Sequence, residues 1–258
     1  MIKERPMKEK KLENPIRQTI IEIKNLRKSF GDNDVLKGVN LSVKKGEDLV
    51  ILGRSGSGKS ITIKCLVGLI RPDEGEINVF GTDITKLNNK DLNETRARIG
   101  FLFQNGALYD SMTVRQNLAF TLKRHSGFLK SDEIEEAIIE VLQNVGLEEA
   151  INKMPAELSG GMRKRIGLAR TLIVKPEIIL YDEPTSGLDA ITSREISGLI
   201  LSIQKKHDTS SIIITHDMAC AKLTRNRIMI LKDGVIHAEG SYSELEKSKD
   251  KWVRSFFI

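Results

Sequence analysis

Leu49-Val50-Ile51-Leu52-Gly53-Arg54-Ser55-Gly56-Ser57-Gly58-Lys59-Ser60 decides how the rest of the chain is read. Its first four residues are a continuous apolar run, as expected for a strand buried on both faces. The next eight fit G-x-x-x-x-G-K-[ST] without a mismatch. A helical pattern follows to about Leu69, and Pro72 and Gly75 break it. Strand, glycine-rich loop and helix in that order let consecutive backbone N–H groups wrap phosphates, and the helix N-terminus adds a favourable dipole. Gly53, Arg54, Ser55, Gly56, Ser57, Gly58, Lys59, Ser60 and Ile61 are therefore the predicted contacts to the phosphates of a nucleotide. Lys59 would neutralise β/γ-phosphate charge, and the Ser60 hydroxyl would coordinate Mg²⁺.

Further apolar runs end in chemistry. Ile178-Ile179-Leu180-Tyr181 leads into Asp182-Glu183. A carboxylate at such a strand end can hold Mg²⁺, and its neighbour can activate water, so Asp182 is assigned to the metal and Glu183 to the general base. Ile212-Ile213-Ile214 is followed by His216, whose imidazole could hydrogen-bond a γ-phosphate and the attacking water. Gln104 ends a strand predicted near Ile99–Phe103, where its amide could reach Mg²⁺ or the water. Leu158-Ser159-Gly160-Gly161-Met162 opens another helix, which Pro176 would stop. That builds a second anion-binding N-terminus. One nucleotide face does not need two such sites. Ser159, Gly160 and Gly161 are thus predicted to bind the γ-phosphate held by another copy, in a head-to-tail dimer.

Around these motifs, Ile21, Ile23, Val39, Leu41 and Val43 alternate like half-buried antiparallel strands. A strand is expected near Ile77–Val79. Residues from about 111 to 150 show helical periodicity, including Ile134, Ile138, Val141, Leu142 and Val145. Asp233-Gly234 between two short runs predicts a type I′ hairpin. The predicted class is α/β with antiparallel strands at the front and a helical insertion.

The 258 residues carry 41 Lys+Arg against 35 Asp+Glu, a net charge of +6, with 40% apolar residues. That balance excludes a disordered chain and invites a nucleic-acid or anionic-membrane partner. Residues 1–17 hold six basic and three acidic side chains, so half of the excess sits there. Residues 1–19 read as a charged, flexible tail ahead of a folded unit over 20–258. Cys65 and Cys220 form no disulfide framework. Neither a signal-peptide core nor an apolar run of membrane-spanning length is present, so the chain is not expected to cross a membrane by itself.

Taken together, residues 20–245 resemble the ATP-binding cassette (ABC) ATPases. The phosphate loop, Gln104, the signature Leu158–Met162, the strand to Glu183, Ser186-Gly187-Leu188-Asp189 and His216 stand in that family's order. The resemblance implies a P-loop NTPase with a RecA-like core, an antiparallel β subdomain and a helical signature-bearing subdomain at about 105–165. It implies ATP and Mg²⁺ as cofactors and a nucleotide-bound homodimer with Asp189 at its interface. It also implies that Phe30 stacks on adenine. The segments Phe103–Val114 and Met154–Arg165 are similar to the MlaF-type ATPases, notably in Gly106-Ala107-Leu108 and in Met162 as fifth signature residue. That branch implies phospholipid transport, integral-membrane permease subunits, an MCE-domain partner and a place on the inner face of the cell membrane. Some of its members continue past the equivalent of Val253–Phe257 to help dock a STAS-domain partner. This chain stops at Ile258, so that partner is not carried over.

Tyr109, Met112 and Leu118 are expected to line a groove for a permease helix, and Arg163-Lys164-Arg165 to lie near the polyanionic nucleotide. A nucleic-acid-associated ABC ATPase is disfavoured, because aromatics are only 5% and no aromatic-basic stripe exists. A P-loop kinase or GTPase is disfavoured by the signature. An importer for another small solute is the main alternative.

Overall fold

The apolar runs that lead into functional residues become neighbouring strands of one sheet. The computed structural model describes residues 18–127, 129–224 and 227–257. In chain order, β1 (Thr19–Phe30) and β2 (Asn33–Lys44) form a hairpin, and β3 (Asp48–Leu52) leads into α1 (Lys59–Leu66). Then come β4 (Glu74–Val79), β5 (Thr82–Asp83), α2 (Asn89–Ala97) and β6 (Ile99–Leu102). The helices α3 (Val114–Ser126), α4 (Ser131–Val145) and α5 (Gly160–Leu172) follow. After them β7 (Ile178–Asp182), α6 (Ala190–His207), β8 (Ser210–Ile214), α7 (Met218–Thr224), β9 (Arg227–Lys232) and β10 (Val235–Ser241) complete the sheets. Two short helices, α8 (Tyr242–Glu246) and α9 (Lys251–Arg254), end the described chain.

The described strands form a small antiparallel sheet, β2-β1-β4-β5, and a main sheet, β10-β9-β3-β8-β7-β6. In the main sheet β9, β3, β8, β7 and β6 run parallel and β10 is antiparallel at the edge. Every residue of β3, β7 and β8 is buried, which is why these strands read as unbroken apolar runs. Their side chains alternate between two cores. Val50, Leu52, Ile179, Tyr181 and Ile213 face the helical side, against Ile166 and Leu168 of α5 and Ile196 and Ile200 of α6. Leu49, Ile51, Ile178, Leu180, Ile212 and Ile214 face Ile63 and Leu66 of α1 and the small sheet's Ile21, Ile23, Val39 and Leu41. Each such aliphatic side chain contributes roughly 1.5–3 kcal/mol by leaving water.

Local chemistry sets the helix ends. Thr113 caps α3 in a box with Gln116, and Gly146 (φ 65°) closes α4. The buried stripe of α4 is Ile134, Ile138, Val141, Leu142 and Val145, the set picked out by its periodicity. Helix α5 runs on through position 165 but closes at Leu172, ahead of a left-handed Lys175 (φ 50°), before Pro176 is reached. Asp233 and Gly234 both have positive φ (48° and 82°), as a type I′ hairpin requires. The charged tail expected over 1–19 lies outside the described residues up to position 17, and Thr19 already belongs to β1. No helix among the described residues is long and apolar enough to cross a membrane.

Candidate active site

Because β3, β6, β7 and β8 run parallel, their carboxyl ends share one edge, the usual ligand edge of an open α/β sheet. Gly53, Gln104, Glu183 and His216 follow these four strands, so topology alone brings them together. The phosphate loop there is tightly built. Gly58, at φ 105°, caps α1, and a Cβ on it would stand 2.6 Å from Leu36 Cδ2. Gly53 approaches the backbone of β9, where a Cβ would meet the Leu231 carbonyl oxygen at 2.5 Å. Neither position admits a side chain. Lys59 is buried and donates to the carbonyls of Gly53 (2.8 Å) and Arg54 (3.1 Å). Burial lowers the pKa of its ammonium, against the opposing charges of Glu183 and Asp182.

Asp182 continues the alternation of β7 toward the α1 face. There the Ser60 hydroxyl donates to its Oδ1 at 2.9 Å. Burial raises the Asp182 pKa, and the Ser60 hydrogen bond opposes the shift. A buried ammonium and a buried carboxylate thus flank the loop, each deprived of water. Two hard oxygen donors, Ser60 and Asp182, meet where a magnesium ion would sit, and this donor set fits Mg²⁺.

Glu183 leaves the strand in a left-handed conformation (φ 51°), which costs a non-glycine residue about 1–2 kcal/mol. Neighbours hold it there. Its N–H donates to the Ile214 carbonyl at 2.9 Å, and its carbonyl accepts from Ser186 N–H at 3.1 Å. Its Oε2 lies 2.8 Å from His216 Nδ1 and accepts from the His216 backbone N–H at 3.2 Å. The Gln104 side-chain amide donates to Ser186 Oγ at 3.0 Å.

A cavity of about 690 Å³ collects most of the predicted residues. Phe30, Arg54, Ser55, Gly56, Gly58, Lys59, Ser60, Ile61, Gln104, Glu183 and His216 line it. Phe30 is about half exposed at the end of β1, on the rim and not in the core. Gly53 and Ser57 lie within the loop behind the lining, and Asp182 reaches the site through Ser60. Ser159, Gly160, Gly161 and Asp189 do not line this cavity. Ser159 caps α5 by accepting from Met162 N–H, and Ser159 and Gly160 are exposed. The Asp189 carboxylate caps α6, accepting from the N–H groups of Ile191 (2.9 Å) and Thr192 (3.0 Å) and from Thr192 Oγ1 (2.6 Å).

Two expectations need correction. Leu118 belongs to the helical core and is fully buried, so it cannot line a docking groove. The groove on that side, about 740 Å³, includes Tyr109, Phe120, Arg124 and Arg170, without Met112. The three cations Arg163-Lys164-Arg165 are engaged within the chain. Arg163 donates to the Leu158 carbonyl, and Arg165 pairs with Glu195 at 2.6 Å. Lys164 is buried, donating to the carbonyls of Gln104 and, at 3.2 Å, of Glu183. Burial lowers its pKa too, against the same Glu183 and Asp182 charges.

Some site residues escaped the sequence reading. Asn33 and Val35 line the cavity from the start of β2, beside the turn after Phe30. For Lys164, expected beside the nucleotide, a helical wheel would have shown the inward orientation instead. Lys164 shares the stripe of Leu168 and Leu172, a lysine on an apolar face.

Known proteins share this arrangement. Residues 36–186 match the ABC transporter family. The chain is 43% identical over 236 residues to the "Probable ribonucleotide transport ATP-binding protein mkl" of Mycobacterium leprae, covering 92% of this chain and 68% of that protein. It is 41% identical over 221 residues to the "Methionine import ATP-binding protein MetN" of Brucella abortus (strain 2308), with 86% and 59% covered. The chain thus spans about two thirds or less of the length of these relatives. The dimeric ATP-binding cassette MJ0796, solved in a post-hydrolysis state bound to ADP and Pi, superposes with a TM-score of 0.79 at 33% identity, over 86% of this chain and 98% of that one. By its phosphate loop, by the residues gathered on one sheet edge and by these likenesses, the chain belongs to the ABC transporter family, as an ATP-binding subunit that hydrolyses ATP with Mg²⁺.

Proposed function

We propose that this ATPase drives phospholipid movement through a membrane transporter, together with permease subunits and an MCE-domain protein. The observation that carries the reading is the pairing of Gly106-Ala107-Leu108 after Gln104 with a signature ending in Met162. These two segments meet in the fold. Gly106 and Ala107 are both left-handed (φ 74° and 51°), and α5 holds the turn through Gly167 against Gly106 and Arg170 on the Ala107 carbonyl. Identity to a methionine import ATPase favours a second reading, an importer for another small solute.

Two copies of the chain would work as a pair. The phosphate loop of one and the signature of the other would enclose each nucleotide. The exposed Ser159 and Gly160, set apart from their own chain's cavity, support this, as does the dimeric state of MJ0796. In each site Phe30 stacks on the base, and Arg54–Ile61 cradle the phosphates. Lys59 neutralises them; Ser60 and Asp182 would hold a magnesium ion, and Gln104, which lines the same cavity, would complete its surroundings. A bound Mg²⁺ supplies positive charge to the phosphate oxygens. Glu183 takes the proton of the attacking water, and His216 orients the Glu183 carboxylate and donates toward the γ-phosphate. Asp189, as the α6 cap, shapes the loop that meets the partner copy. The groove at Tyr109 and Phe120 takes a permease helix, which places the subunit on the inner face of the membrane.

Purification of the intact complex from membranes tests the reading, with identification of the co-purifying chains and bound lipid. A permease, an MCE-domain protein and phospholipid are expected. A solute-binding protein in place of the MCE chain, with turnover stimulated by its solute, would replace the lipid reading by the importer.

A further inference from the structure

The buried ammonium of Lys164, on α5, closes a ring of hydrogen bonds with two loops, the one after β6 that carries Gln104 and the one after β7 that carries Glu183 and Ser186. Lys164 lies one turn into α5, just past the signature. It donates to the carbonyl of Gln104 and to that of Glu183 at 3.2 Å. The same Glu183 carbonyl accepts from Ser186 N–H at 3.1 Å. Ser186 Oγ in turn accepts from the Gln104 side chain at 3.0 Å. Glu183 needs this support, because its left-handed backbone (φ 51°) is not one it adopts freely.

A lysine here is not explained by solubility or packing. It is 7% exposed. A neutral side chain of similar length would fill the space without taking a charge out of water. The flanking arginines do not reach the catalytic loops. Arg163 turns back to the Leu158 carbonyl, and Arg165 pairs with Glu195 and the Val145 carbonyl. Behind Lys164, α5 is packed directly on the loop that follows Gln104. A Cβ on Gly167 would stand 2.9 Å from Gly106 Cα. Helix, loop and carboxylate backbone are therefore joined closely enough to move together.

We propose that Lys164 is a positioning residue that transmits engagement of the signature helix to Glu183 of the same chain, and so couples the two nucleotide sites of the dimer. This rests on Glu183 as the general base and on composite sites. The signature serves the nucleotide held by the other copy, whereas Glu183 serves the nucleotide of its own chain. When the first turn of α5 captures a phosphate, the Lys164 ammonium one turn away shifts with it. That shift moves the Gln104 and Glu183 carbonyls together and re-aims the carboxylate. Misaiming by a fraction of an ångström is costly to an in-line attack.

The test uses the purified full-length protein with MgATP and compares wild type with Lys164→Met, Lys164→Gln and Glu183→Gln. Lys164→Met is expected to lower kcat about 10- to 100-fold while ATP affinity changes less than about twofold. The Hill coefficient for ATP should fall toward 1. Lys164→Gln keeps a neutral donor for the carbonyls and should recover part of both. If Lys164→Met does not fold, the same readouts on Lys164→Gln decide. Wild-type kcat and Hill coefficient in the Lys164 variants, with Glu183→Gln inactive, would overturn the role of Lys164 alone. So would a parallel loss of ATP affinity and thermal stability without a separate fall in kcat, because that marks a merely structural lysine. Turnover retained by Glu183→Gln would remove the underlying assignment as well. A wild-type enzyme without cooperativity would overturn the coupling.

Discussion

Glu183 Oε2 and His216 Nδ1 stand 2.8 Å apart across the mouth of the phosphate loop, and the His216 backbone N–H adds a second contact to the same oxygen. The carboxylate that follows β7 is thereby aimed by the backbone and ring of one residue beyond the neighbouring strand β8. Glu183→Gln keeps shape and hydrogen bonding but removes the proton acceptor. It should retain ATP binding and slow turnover roughly 10²-fold or more. Steady-state ATPase assays beside equilibrium nucleotide binding check this, and near wild-type turnover would reject the base.

Asp182 gives a prediction on stability and pH. Burial raises its pKa, so the folded chain holds that proton more tightly than the unfolded chain does. The stabilisation from that proton is complete below the unfolded carboxylate pKa of about 4 and is lost as pH rises through the folded value. Asp182→Asn is neutral at every pH. It should raise the melting temperature of the nucleotide-free protein at pH 7, with the gain shrinking toward zero near pH 4. Stabilisation by MgATP should be lost in the same variant. Thermal scans across pH, with and without MgATP, separate the two effects.

Phe30 presents an open aromatic face at the cavity rim. Stacking energies of this kind predict that Phe30→Ala raises KM for ATP by about 3- to 15-fold with kcat nearly unchanged, and that Phe30→Tyr behaves as wild type. An unchanged KM in the alanine variant would remove Phe30 from the site.

Subunit mixing probes the shared sites. A Ser159-defective chain and a Lys59-defective chain should each be inactive alone. Their heterodimer retains one site with an intact loop and an intact signature, so ATPase activity should return on mixing, but at a reduced rate, because the chain that supplies Glu183 there has no engaged signature of its own. A silent mixture would exclude composite sites that work independently.

Gly167 is the contact point of α5 with the turn after Gln104, backbone against backbone. No flexible side chain can yield there. Gly167→Ala should destabilise the fold by about 1–3 kcal/mol, read as a lower urea midpoint, and should reduce turnover of the folded fraction. An unchanged midpoint would show that the two segments separate without cost.

Much of this was legible in the residues. Strands β3, β7 and β8 announce themselves because both faces are buried, and each leads into a functional side chain. The α4 stripe was readable because one apolar face meets one core. Helix α2 was not, because none of its residues is buried and no apolar period marks it; it is held by its Asn88 cap. The run Arg163-Lys164-Arg165 misled for a geometric reason. Consecutive helical residues point about 100° apart, so three adjacent cations cannot all face one ligand. Asp189 directly before a helix carries the ordinary signature of an N-cap, which the geometry displays.

The alternation of β7 between two cores polices the chemistry. Ile178 and Leu180 point to one side, Ile179 and Tyr181 to the other, and Asp182 falls by parity on the side where Ser60 waits. A slip of one residue would present Tyr181 to Ser60 and drive the carboxylate in among the aliphatic side chains of α5 and α6. Such a chain would be both inactive and unstable. The parity that places the carboxylate at the site is thus the same parity that lets the strand fold, so loss of one entails loss of the other.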